Sequence, residues 1–199
     1  GFVAGFPIPE VLQGINAFAL GMRSVNPKAQ VRVIWLNNWF DPPRERDAAM
    51  ALFNQDVDVV AFQVASTAVM QAAQERGKMA IAFHSDMSKV APDAQLLAVT
   101  HRWGKYYEQR ARAVLDGTWK SQDFWGGVKD GMVGVEGFGP KLPKAAREEV
   151  LLREQQMAKG QLAPFAAGKQ PVRDNQGQVR IPAGKALTDA QILEMNWLA

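Results

Sequence analysis

The side chains with the most chemical capacity in this chain are an imidazole and a carboxylate in His84-Ser85-Asp86, a lysine set among glycines, and several tryptophans. His84 and Asp86 directly follow the apolar run Met79–Phe83. An imidazole there could act as a base, touch a ligand, or hydrogen-bond a loop, and the residue type leaves these readings open. Asp86 could accept hydrogen bonds from a hydroxyl or amino group of a bound molecule. Asp86 or Ser88 could equally cap the following turn. Ligand or hinge contact is the expectation for Asp86, and a structural or surface role for His101. Trp39 and Phe40 form an aromatic pair behind another apolar run, Val31–Leu36, where they could stack on a flat ring or pack between lobes. Trp103 and Trp125 pose the same alternative, with core packing expected for at least one. Six Trp against two Tyr suits a pocket for an apolar planar ligand. Lys129 lies in Trp125-Gly126-Gly127-Val128-Lys129-Asp130-Gly131. Glycines let the backbone approach a ligand closely, so Lys129 could donate to it, or be a surface lysine in a tight turn.

Other chemistry is excluded by what is missing. The chain of 199 residues has no Cys, so thiol catalysis, thiolate metal sites and disulfides are ruled out. There is no GxSxG, P-loop, GxGxxG or HExxH pattern, and His84 and His101 lack a metal-ligand spacing, so no metal or cofactor is expected. The formal net charge is +3, with Lys and Arg spread along the chain, which gives nucleic-acid binding little support. Hydrophobic residues at 47% and charged residues at 22% are a normal globular balance. No run of about 18 apolar residues is present to span a membrane. The opening Gly1–Phe6 already reads as a buried strand, which suggests a chain cut from a longer precursor with any export signal upstream.

These side chains must be held by regular elements. Apolar runs at Gly1–Phe6, Val31–Leu36, Val57–Phe62 and Met79–Phe83 read as strands buried on both faces. Between them, Val11, Leu12, Ile15, Phe18, Ala19 and Met22 recur at helical spacing until Asn26-Pro27. Asp41-Pro42-Pro43 starts a second helix running to about Asn54, and Ser66–Arg76 reads as a third, closed by Gly77. This alternation predicts parallel strands with right-handed crossovers. Ligands then bind beyond the strands' carboxyl ends. Three segments should face that edge: Asn37–Asp41, Gln63–Thr67 and His84–Met87. Gln63, Trp39, Phe40, His84 and Asp86 are therefore expected together. After residue 90 the pattern changes. Gln95–Thr100 reads as a strand, Trp103–Leu115 as an amphipathic helix, and the glycine-rich Phe124–Val135 as strand-like. Pro143–Lys159 reads as a charged helix with a solvated face. Pro171–Ile181 reads as a hairpin turning at Asp174-Asn175-Gln176-Gly177, and Leu187-Thr188-Asp189 as the cap of a last helix to about Met195. The expected organisation is an α/β lobe over residues 1–90. Residues 91–199 would be a hinge crossover plus the C-terminal part of another lobe whose N-terminal half is missing.

The stretches GFVAGFPIPEVLQGINAFALGMRSVNP, WLNNWFDPPRERDAA, AFHSDMS and VLDGTWKSQDFWGGVKDGMV resemble, in order and spacing, the second half of the basic membrane protein family of ABC-transporter receptors. The WFDP, HSDM and WGGxKDGM elements together carry the resemblance, which covers nearly the whole chain. It implies a type I periplasmic-binding-protein fold, a doubly wound parallel sheet lobe plus part of a second lobe, with the ligand between lobes that close by a hinge. Several members bind purine nucleosides outside the cytoplasm, lipid-anchored or periplasmic, and deliver them to an ABC permease. The resemblance assigns ligand contacts to Asp86 and Lys129 and an aromatic role to Trp39 or Phe40. Two departures, Gln63-Val64-Ala65-Ser66-Thr67-Ala68 in place of a glycine-rich turn and the His84-Ser85-Asp86 strand exit, leave room for a free purine base such as adenine or for another flat heterocycle. The rivals are a signalling sensor of the same fold and an enzyme such as a nucleoside hydrolase. A hydrolase needs a carboxylate cluster near the first strand, and Phe6-Pro7-Ile8-Pro9 offers none.

Overall fold

The computed structural model describes residues 1–199. The strands are β1 (Phe2–Ala4), β2 (Val33–Trp35), β3 (Val59–Gln63), β4 (Met79–His84), β5 (Gln95–His101) and β6 (Val133–Glu136). They form one sheet in the order β2-β1-β3-β4-β5-β6. The first five are parallel, and β6 runs antiparallel to β5. The helices are α1 (Pro9–Val25), α2 (Pro42–Phe53), α3 (Ala68–Glu75), α4 (Trp103–Leu115), α5 (Lys144–Ala158) and α6 (Asp189–Leu193).

Alternation along the strands divides the core into two layers. Val3, Val60 and Phe62 point to the face covered by Ala48, Ala49 and Leu52 of α2 and Val69, Met70 and Ala73 of α3. Phe2, Ala4 and Ala61 point to the other face, against Val11 and Ile15 of α1. The sheet is thus helix-covered on both sides, which is why the strands read as unbroken apolar runs. Each large side chain buried here, such as Phe62, Leu52 or Met70, contributes roughly 1.5–3 kcal/mol relative to exposure. Local signals set the helix ends. The Asp41 carboxylate accepts from the Arg44 N–H at 3.2 Å and caps α2 ahead of Pro42-Pro43. Gly77, at φ +63°, takes the left-handed turn after α3.

β5 lies beside β4 in this same sheet and β6 follows it, so the sheet runs past residue 90. The chain leaves the sheet after His101 and returns at Val133, two residues paired directly across β5 and β6. The excursion holds α4, which buries none of its residues. Strand structure was expected over Phe124–Val135, but only Val133 onward pairs. Upstream, the Gly127 N–H donates to the Asp130 carboxylate at 3.0 Å, and Gly131 adopts φ +71°, so the glycines make a turn instead.

The hairpin β7 (Val172–Arg173) and β8 (Val179–Ile181) forms around Asp174, which accepts from the Gln176 and Gln178 N–H groups, both at 2.9 Å. Thr188 and Gln191 cap α6 reciprocally. This C-terminal region packs on α1: Phe165, Ala167, Ile181 and Met195 form a third cluster with Leu12. Asn16, fully buried in α1, donates to Trp197 O at 2.8 Å and Met195 Sδ at 3.1 Å, and accepts from the Ala199 N–H at 2.7 Å.

Candidate functional site

The carboxyl ends of β1 to β4 converge on a cleft of about 280 Å³ lined by Glu10, Trp39, Gln63, Val64, Ala65, Phe83 and His84. Trp39 lies over the backbone of Gly5: a Cβ added there would come within 2.6 Å of the indole Cε3. Only glycine leaves room for that ring. The indole also meets Phe6 edge to face, centroids 5.1 Å apart, yet stays 42% exposed. Its carbonyl accepts from the Ala65 N–H at 2.8 Å, so the loops after β2 and β3 are joined under the ring.

A buried carboxylate makes the second joint. Glu45 of α2 accepts from the Asp41 N–H at 3.1 Å and the Ser66 N–H at 3.2 Å, and the Ser66 hydroxyl donates to it as well. Both cleft-forming loops therefore hang on one side chain. Glu45, buried within the charged α2 stretch, is a residue that sequence reasoning did not single out. The usable signal was its place one turn after the Asp-Pro-Pro helix start. Gln63 leans on α1, its Oε1 filling the space beside Gly14 and its Nε2 donating to Glu10 Oε1 at 3.4 Å. Glu10, exposed in the first turn of α1, is a lining residue that sequence reasoning missed.

His84 ends β4 in the left-handed region, at φ +68°. Its ring lies against Phe83, centroids 3.7 Å apart, and its Nδ1 is 2.7 Å from Nδ1 of His101. His101 stacks on Trp103 at 5.9 Å and 11°, and Trp103 on Tyr107 at 6.0 Å and 17°. An aromatic series thus leads from the cleft onto α4. Partial removal from water, and then the neighbouring His101, hold the His84 imidazolium below its ordinary pKa of 6.5.

Asp86 lies outside the cleft lining. Its Oδ1 accepts from Gln95 Nε2 at 2.7 Å and from the Ser88 N–H at 2.9 Å. These bonds, the Gln95 amide first, hold its carboxyl below the usual 3.8. Gln95, fully buried, also donates to Gly137 O at 2.6 Å and accepts from the Met87 N–H at 2.9 Å. Asp86 therefore sits in a junction that fastens the β4 exit to the β6 exit, and it caps the turn at Ser88. Phe40 is exposed, as are Trp125 and Lys129, and none of the three lines the cleft. Trp103 is reached from it only through His101. The structure brings together Trp39, Gln63 and His84 of the expected set. No group of three or more His, Asp or Glu side chains is placed to hold a metal ion. What the cleft offers is one half-open aromatic face, an amide, a carboxylate and an imidazole, a set that can stack on a ring and hydrogen-bond its edge.

Residues 1–164 match the family model described as ABC transporter substrate-binding protein, PnrA-like. Over 197 residues the chain is 45% identical to a protein of Brucella abortus (strain 2308) named purine-binding protein, covering 99% of this chain and 55% of that one. Over 166 residues it is 36% identical to a Haloferax volcanii protein provisionally named ABC transporter glucose-binding protein, covering 83% of this chain and 42% of that one. The chain thus spans about half the length of the relatives it matches. Among solved structures, a solute-binding protein of an ABC transporter system from Conexibacter woesei superposes with TM-score 0.67 at 17% identity, covering 82% of this chain and 55% of that one. A transcriptional activator of the comK gene from Bacillus halodurans gives 0.71 at 21%, covering 82% and 57%. Both share the fold, an α/β architecture of the type I periplasmic-binding kind.

Proposed function

The chain belongs to the PnrA-like family of ABC transporter substrate-binding proteins, and on that premise we propose that it forms one side of a receptor that captures a purine base or nucleoside between two lobes and delivers it to a membrane permease. The observation that carries this reading is the Trp39 indole, seated on Gly5 with one side open in a cleft that also holds Gln63 and His84. An indole gives a flat ring a stacking surface, and the polar atoms at the cleft wall address its edge. The Brucella relative's name, purine-binding protein, points the same way. No step of catalysis is assigned to any residue, in keeping with the family.

In this receptor the six-stranded sheet with α1 to α3 is one lobe, and the excursion over residues 102–132 belongs to the facing one. The rest of the facing lobe comes from the part of the protein that the relatives' length implies. Phe40, Asp86, Trp103, Trp125 and Lys129 then reach the ligand when the lobes close. The receptor works outside the cytoplasm, free or lipid-anchored, and no helix of this chain is long and apolar enough to cross a membrane. Calorimetric titration of the full-length protein with adenine, adenosine and glucose tests this. Saturable binding of a purine, abolished or weakened at least tenfold by Trp39→Ala, is expected. Binding of glucose alone would replace the ligand class. Turnover of adenosine would sink the receptor reading.

A further inference from the structure

His84 and His101 sit side by side at the carboxyl ends of β4 and β5, with Nδ1 atoms 2.7 Å apart. At that separation one nitrogen must donate and the other accept, since two N–H groups or two lone pairs would repel. In a neutral imidazole the second nitrogen takes the complementary role. When His84 donates through Nδ1, its Nε2 is a bare acceptor, and His101 carries its own proton on Nε2. When His101 donates, His84 carries its proton on Nε2 and becomes a donor there. The two arrangements hold the same number of protons and the same N–H···N bond. An external hydrogen bond at Nε2 of His84 therefore selects between them.

The placement of the pair makes that selection consequential. His84 lines the cleft with Trp39 and Gln63, and its Nδ1 is taken by His101, so Nε2 is the polar atom the ring has left for a ligand. Each ring lies against an aromatic neighbour, His84 against Phe83 and His101 against Trp103. His84 also adopts a left-handed backbone, which is strained for a non-glycine residue, and such strain collects at ligand sites. The lowered imidazolium pKa of His84 favours its neutral ring near pH 7, the form that holds one donor and one acceptor nitrogen.

We propose that His84 and His101 form a tautomer-reversible pair that sets the specificity of the cleft, offering an acceptor to an amino group and a donor to an oxo group at the same point of a bound heterocycle. The proposal rests on the purine reading above and deepens it. Trp39 stacks on either ring without regard to its substituent, and the pair adapts to the edge. A 6-amino and a 6-oxo purine are then held with similar affinity.

Imidazole nitrogen-15 NMR of the full-length protein, free and saturated with adenine or hypoxanthine, reads the tautomers directly, and calorimetry gives the two affinities. Nε2 of His84 should be unprotonated in the adenine complex and protonated in the hypoxanthine complex, with His101 reversed. The two Kd values should agree within about tenfold. In His101→Lys the ammonium can only donate, so His84 is fixed as a donor at Nε2. That variant should lose adenine affinity about tenfold or more relative to hypoxanthine. The same His84 tautomer in both complexes, or an unchanged affinity ratio in the variant, overturns the proposal. If neither purine binds, the purine reading fails separately, and the free protein decides the pair. Nδ1 shifts averaged between protonated and unprotonated values in both rings support it, whereas one fixed donor and one fixed acceptor overturn it.

Discussion

The sheet with its three covering helices and the excursion from Arg102 to Met132 use their apolar residues in opposite ways. Leu52 of α2 is 1% exposed, whereas Leu115 of α4 is 87% exposed, and Trp103, Tyr107, Val114 and Trp119 are open to water beside it. Three clusters of buried side chains serve the first region, and none of them draws on α4. The lesson is that amphipathic spacing specifies that a helix has an apolar side without specifying what covers it. So many large apolar side chains exposed on one excursion suit a contact with further protein surface. In the receptor proposed above, that contact is the remainder of the facing lobe.

Mutations in the two regions should separate sharply. Phe62→Ala should cost this chain about 3–5 kcal/mol in urea unfolding, because it empties space between the sheet, α2 and α3. Leu115→Ala should stay within about 0.5 kcal/mol, and equal costs would erase the distinction between the regions. Glu45→Ala should come next, at roughly 2–3 kcal/mol by the same measurement, since the Asp41 and Ser66 N–H groups lose their shared acceptor. Asn16→Ala should cost about 1–3 kcal/mol and raise amide exchange in residues 195–199, while leaving the excursion's exchange unchanged.

The smallest effect is a pH dependence of stability, and it belongs to the cleft side. His84 has a folded pKa below its unfolded value, so its contribution is complete above about pH 6.5 and is lost as pH falls through the folded value. Asp86 is also depressed, so its contribution holds above 3.8 and is lost as pH falls further. These groups should therefore lower the unfolding free energy in two separate acid windows, the lower one shared with Asp174, whose carboxyl is also held below 3.8. His84→Gln should shrink the upper decline and leave the lower one in place, whereas an unchanged upper decline would contradict the His84 shift.

Most of the sheet lobe was legible in the sequence because each boundary carried a local cause. Asp41-Pro42-Pro43 is a cap followed by rigid first-turn residues, and Gly77 is the residue that tolerates a left-handed exit. The cleft was half legible. Strand ends named Trp39, Gln63 and His84, since position in a parallel sheet follows from strand order. Glu45 carried only the signal of its place after Asp41-Pro42-Pro43, and the His84–His101 pair was not legible. The pair exists because His84 and Thr100 are register partners, which sets His101 beside the β4 exit, and register is fixed by packing across strands. Phe124–Val135 was misread because glycines next to apolar residues resemble a strand until a carboxylate such as Asp130 closes them into a turn.

The fastening of the C-terminal residues onto α1 has a consequence for the order of events during synthesis. Asn16 finds its partners 179 to 183 residues later in the chain. Leu12, beside it, waits for Phe165, Ile181 and Met195. As the chain grows, the sheet can assemble around β1 to β4 while the outer side of α1 stays uncovered. Contacts so distant in sequence form last, since the loop they close must be complete first. A nascent chain therefore carries a sticky, solvent-facing α1 until residues 195–199 are made. That is the interval in which a holding chaperone would matter most.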